Sequence, residues 1–144
     1  MDRINESVIR FKDGMTCSQA ILSTYGPEFG LDEETALRIA YGFGGGMGRL
    51  ANTCGAVTGA FMVIDLKYAS HDITDKEAKE LTRSKIQDFA ALFLQRNDSL
   101  MCRDILGEDI STEEGFKRGI QSGLAKEKCP KFVQDAAEIL EGLL

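Results

Sequence analysis

Four cysteines, Cys17, Cys54, Cys102 and Cys129, and one histidine, His71, are the residues of this 144-residue chain best suited to nucleophilic or metal chemistry. A thiol attacks and ligates as its thiolate, so the surroundings of each cysteine decide what it can do. One of them follows an unusual segment. Gly42–Gly59 reads GFGGGMGRLANTCGAVTG, with five glycines in seven residues, and Cys54 stands at the head of an apolar run. Ordering a backbone costs roughly 1–2 kcal/mol per residue, and glycine costs the most. The loop therefore does something that side chains would prevent.

Two phosphate-binding patterns can be tested directly. G-x-G-x-x-G fails from Gly42, whose sixth position is Met47, and from Gly44, whose sixth position is Arg49. The P-loop pattern fails for want of its lysine. A glycine turn opening a helix can still hold an anion on exposed N–H groups, here Gly44, Gly45, Gly46 and Gly48 with Arg49 assisting. That is a binding-module reading, in which the cysteines are core residues.

The elements that position these groups read as helices. TCSQ at Thr16–Gln19 is a capping box, TDKE at Thr74–Glu77 and STEE at Ser111–Glu114 repeat the pattern, and Asp32 caps EETALRIA. Apolar residues recur at helical spacing through Ile86, Phe89, Ala90, Phe93 and Leu94, and again through Phe132, Val133, Ala136, Leu140 and Leu143. No alternating strand pattern appears. The expected fold is all-α: a single-domain compact helical bundle over 1–144. GAVTGAFMVIDL, apolar on nearly every face, is its buried central helix, starting near Cys54. Gly42 is the expected left-handed stop of the preceding helix. Gly115, Gly119 and Gly123, four residues apart, form a bare stripe on a helix or else break it; the stripe is read as close packing, with room for a ligand or a partner backbone as the alternative.

On this reading all four cysteines lie at helix N-termini. Cys17 follows the cap Thr16, Cys54 follows Asn52 and Thr53, Cys102 follows Asp98 and Ser99, and Cys129 caps a helix whose first residue is Pro130. The dipole there favours a thiolate by about 0.3–1 kcal/mol, a fraction of a pKa unit. No C-x-x-C pair occurs, so any joint site must be assembled by folding. His71, in YASHDIT, is expected in an exposed loop rather than as a ligand or base.

CGAVTGA at Cys54–Ala60, behind GFGGGMGR and with one cysteine before it and two after, resembles the bacterial and archaeal family named for a C-GCAxxG-C-C pattern. Cys17, Cys54, Cys102 and Cys129 fill its cysteine places, and Gly55, Ala56 and Gly59 its small positions, over a stretch from about Asn5 to the C-terminus. The resemblance implies a redox role and no particular substrate. In a thiol–disulfide mechanism Cys54 is the expected attacking thiolate, with space around it cleared by Gly55 and Gly59. Four cysteines allow three pairings; the reading leans to Cys17 with Cys54 and Cys102 with Cys129. The alternative is a metal ion or iron–sulfur cluster on all four thiolates.

Composition excludes other classes. A net charge of −6 makes nucleic acid a poor partner, and no stretch approaches the ~20 apolar residues of a membrane span. The charged N-terminus lacks a signal peptide's apolar centre, so a cytoplasmic location is expected. The redox partner is unidentified, and an over-apolar helix suits a homodimer although no interface is legible.

Overall fold

A computed structural model describes residues 2–144, and the fold is all-α. Its helices are α1 (Arg3–Lys12), α2 (Cys17–Tyr25), α3 (Glu33–Ala40), α4 (Gly55–Tyr68), α5 (Lys76–Asn97), α6 (Cys102–Leu106), α7 (Glu113–Phe116) and α8 (Leu124–Leu143). A 3₁₀ turn, Gly26–Phe29, follows α2, and a π turn, Lys117–Gln121, extends α7. Among the described residues the one extended pairing is an isolated antiparallel bridge between Thr53 and Met101. Among those residues, too, no helix is long and apolar enough to cross a membrane.

The central position of α4 follows from its composition. Its first ten residues bury Gly55, Ala56, Val57, Gly59, Ala60, Val63 and Ile64, and only its last turn carries the exposed Asp65 and Lys67. α2 lies against it at backbone range. A Cβ on Gly59 would stand 2.9 Å from the Ser18 carbonyl oxygen, and one on Gly55 3.2 Å from the Cys17 Cβ. α8 packs against α1, α5 and α4, and brings Phe132, Val133, Ala136, Ala137 and Leu140 into the core. α5 closes it with Phe89 and Phe93, stacked at 5.9 Å, while Phe61 of α4 meets Phe89 edge-on at 5.8 Å. Each ring so buried contributes about 1.5–3 kcal/mol. Leu94, expected on that face, is exposed instead.

Several helix starts are where the sequence puts them, and the exceptions have local causes. Thr16 forms both halves of its capping box with Gln19, and Asp32 caps α3 through the Thr35 N–H. The caps of α5 and α7 lie one residue later than the sequence patterns indicate, at Asp75 and Thr112. In both cases the upstream hydroxyl is already engaged: Thr74 donates to Asp72 and Ser111 to Asp109. At the other end of α3, Gly42 is not left-handed; the chain turns over three residues later. The glycine stripe divides too. Cβ atoms on Gly115 and Gly119 would meet Asp109 and Ile110, so these two positions serve packing, whereas Gly123 (φ 89°) is the left-handed residue that starts α8.

Candidate functional site

The glycine loop is a left-handed helical turn. Gly45, Gly46, Met47, Gly48 and Arg49 run consecutively at φ 64°, 69°, 65°, 63° and 61°, and Ala51 follows at 59°. That conformation costs an L-residue about 1–2 kcal/mol, because Cβ crowds the following carbonyl. Glycine at three of the five positions removes most of the cost. Gly46 is fixed by space as well: its Cβ would lie 2.5 Å from the Asn52 nitrogen. The returning chain closes on the turn, with Ala51 N–H donating to Gly45 O at 3.1 Å and Asn52 N–H to Gly46 O at 2.9 Å. On its other side, Gly44 presses on Thr16, the cap of α2.

Arg103 pins the far edge of this turn. Its Nε donates to the Ala51 carbonyl at 3.0 Å, and a terminal nitrogen donates to Asn52 Oδ1 at 2.9 Å and to the Leu50 carbonyl at 3.3 Å. Cys54 N–H donates to Leu100 O at 2.8 Å and Cys102 N–H to Asn52 O at 2.6 Å, flanking the Thr53–Met101 bridge. Residues flanking a bridge point to the face opposite the bridged pair, which puts Cys54 and Cys102 on one face of this short ladder. Arg49 plays no part at the cysteines; its guanidinium stacks on Phe116, 4.0 Å from the ring centre.

All four cysteines line one cavity of about 410 Å³, which Gly45, Gly46 and Gly55 also border. Three of them sit at helix starts as the sequence indicates: Cys17 is the first residue of α2, Cys102 the first of α6, and Cys54 the residue preceding α4. Cys129 does not. It lies inside α8, whose start is set upstream by Gly123, and Pro130 is accommodated within the helix. Proline's missing N–H releases the Lys126 carbonyl from the helical ladder without ending the helix. Cys17 is reached through Gly55, so the small residue beside Cys54 does bring in another helix end. Gly59 lies one turn further along and serves α2 packing rather than the thiols.

The four thiols differ electrostatically. Burial pushes Cys54 up to about 12 and Cys102 up to about 11. Cys17 and Cys129 interact with one another, and this holds Cys17 well above the ordinary thiol range and Cys129 below it. Lys128 adds to the depression at Cys129, while burial opposes it. The start of α2 faces the same pair, and its dipole favours negative charge there. Of the four thiols, Cys129 is the one held below the ordinary range. All four cysteines are free thiols, and Cys17 interacts with Cys54 and Cys102 as well as with Cys129.

Among the described residues, no group of three or more His, Cys, Asp or Glu side chains is placed to hold a metal ion. His71 is exposed in the loop before α5 and is not among the cavity residues. Sequence reasoning missed Arg103 and the apolar walls, Phe11, Met15, Ile105, Ile110 and Phe132. The walls carry a faint signal in the amphipathic faces of their helices, and Arg103 carries none beyond its place next to Cys102.

Comparison with known proteins returns one family. Residues 15–143 match the family model described as "Putative redox-active protein (C_GCAxxG_C_C)". No curated protein and no solved structure matches the chain. With nearly its whole length matched and a cysteine in each of the four places around a shared cavity, the chain belongs to the C_GCAxxG_C_C family of redox-active proteins.

Proposed function

We propose that the chain is a thiol–disulfide exchange protein, working as one helical domain, in which Cys129 attacks and Cys17 resolves. The observation that carries this reading is that Cys17 and Cys129 line the same cavity and interact there, with Cys129 held below and Cys17 above the ordinary thiol range. The Cys129 thiolate attacks one sulfur of a substrate disulfide, forms a mixed disulfide and expels the other sulfur as a thiolate. Cys17 then gives up its proton and attacks the Cys129 sulfur. The Cys17–Cys129 disulfide forms, the second substrate thiolate leaves, and the two electrons have reduced the substrate to two thiols. Cys54 and Cys102, on one face of the short ladder at the Thr53–Met101 bridge, are a second pair of thiols that stays protonated at neutral pH.

Oxidation of the reduced protein with a diazenedicarboxamide, which takes up two electrons and two protons, tests the pairing. Peptide mapping is expected to find Cys17–Cys129 as the first disulfide. Cys129→Ser abolishes it and leaves Cys54 and Cys102 as free thiols. A first disulfide between any other two cysteines, in protein shown by circular dichroism to be folded, would overturn the assignment.

A further inference from the structure

The cavity around the cysteines has more structure than disulfide exchange alone requires. Its volume, about 410 Å³, falls within the ~300–1,000 Å³ range of pockets that enclose small molecules. The walls are apolar, with Phe11, Met15, Ile105, Ile110, Ile120 and Phe132 among them. The ionisable residues other than cysteine that border it are Lys12, Asp13 and Lys126, all exposed, so these charges stand at the mouth. Cys54 is only 4% exposed, and Cys17, Cys102 and Cys129 are partly covered. A substrate must bring its sulfur into the recess. A protein disulfide, tethered on both sides by backbone, would carry unpaired peptide groups against these apolar walls, and an uncompensated peptide group there is costly. A small molecule carries no such backbone.

We infer that the cavity binds a low-molecular-weight disulfide with an apolar, ring-sized body, and that this class of compound is the substrate. The inference rests on the exchange reading above, since the same Cys129 performs the attack. The apolar substituent lodges against Phe11, Met15 and Phe132 while the S–S bond lies along Cys129. The two lysines and one aspartate at the mouth make a cationic substituent the least favourable. The products are the enzyme disulfide and two small thiols, so the balance is that of the exchange step already written.

Three disulfides separate the possibilities: an aryl disulfide, hydroxyethyl disulfide and insulin. Each is given to the reduced full-length protein, and its rate is divided by the rate with a free small thiol to remove intrinsic reactivity. Burial of one ring predicts a normalised rate at least about tenfold higher for the aryl compound than for hydroxyethyl disulfide. Ala125, which also borders the cavity, offers a way to fill it: Ala125→Trp is expected to erase the preference. Because that variant can misfold, a second measurement uses the unaltered protein. The aryl thioether, which has no S–S bond to exchange, is expected to slow alkylation of Cys129 several-fold. Equal normalised rates, a preference for insulin, or no protection by the thioether would overturn the substrate class and leave the exchange chemistry standing. Failure of every oxidant to form Cys17–Cys129 would instead remove the exchange reading itself.

Discussion

Phe89 and Gly46 are both buried, and they show how differently the two ends of the molecule are held. Phe89 belongs to the long-helix end, where regular, side-chain-capped helices press large apolar groups together and no backbone need be unusual. Gly46 belongs to the cysteine end, where a left-handed turn, a two-residue pairing and two short helices, α6 and α7, are tied by backbone hydrogen bonds and one arginine. The first end derives its stability from area removed from water, and many residues share the load. The second derives its shape from a few positions whose dihedrals or contacts have no substitute. The four thiols are found at the second end, against the apolar wall supplied by the first.

The comparison breaks most visibly at Phe89. Phe89→Ala is expected to lower stability by about 3–5 kcal/mol in denaturant titration, through lost burial and a cavity between α4 and α5. Below the unfolding transition it should leave the alkylation rate of Cys129 within about twofold of the parent, since the strain is local to the far end. A large change in thiol reactivity would show that the two ends are not independent.

An alkaline titration probes the other end. Cys54 is pushed up to about 12 by burial, whereas an exposed thiol in the unfolded chain ionises near 8.5. Below pH 8.5 both states keep the proton and the group has no effect on stability. Above it the unfolded chain releases the proton and the folded chain does not, so stability falls by roughly 1.4 kcal/mol per pH unit until the folded group ionises. Cys102, pushed up to about 11, acts in the same direction, and Cys129, held low, acts oppositely. Comparing Cys54→Ala with the parent isolates the term: the variant's stability curve should be flatter between about pH 9 and pH 11. Parallel curves would mean Cys54 is wetter than its 4% exposure indicates.

The same division explains what was legible in the sequence. Helical periodicity and caps made most of the long-helix end legible, α1 and the start of α8 excepted, because burial of one face writes a repeat into the residues. Three of the four cysteine positions were legible for the same reason, each standing next to a helix start. Cys129 was misread because Pro130 imitates a first helical residue, while the true start, Gly123, looks like any small residue in a stripe. How the thiols come to share one cavity was not legible. It depends on the Thr53–Met101 bridge and on which helix end Gly55 admits, both long-range facts with no local repeat. The glycines announced a special backbone without saying which; five consecutive left-handed residues, two of them not glycine, cannot be read from composition.

The turn itself gives the finer tests. Gly46→Ala places a Cβ 2.5 Å from the Asn52 nitrogen and 2.7 Å from the Ala51 backbone, neither of which can yield without breaking the pairing with Cys102. A loss of about 2–3 kcal/mol is expected, from overlap and left-handed strain together. Unlike Phe89→Ala it should alter Cys129 alkylation, because the turn borders the cavity. Gly48→Ala separates the two causes. Its φ is 63°, but the nearest atom to an added Cβ is 3.9 Å away, so only the strain of about 1 kcal/mol remains. If both substitutions cost the same, strain alone governs the turn and close approach contributes nothing.

Arg103→Ala is the smallest perturbation and the most discriminating one. Its three acceptors, Leu50 O, Ala51 O and Asn52 Oδ1, lie on the strained strip between the left-handed turn and Cys54. The arginine is exposed, so water can replace it at some of these groups and the stability cost should be only about 1 kcal/mol. Its position next to Cys102 makes the geometric effect larger than the energetic one, for it ties the turn to the strand that carries a thiol. A loosened strip should speed alkylation of Cys102 several-fold, read site by site by mass spectrometry, with Arg103→Lys giving only partial rescue because a lysine cannot span the three acceptors at once. If Cys102 reacts no faster in the alanine variant, the turn holds itself, and the arginine is a surface contact with no part in shaping the cysteine end.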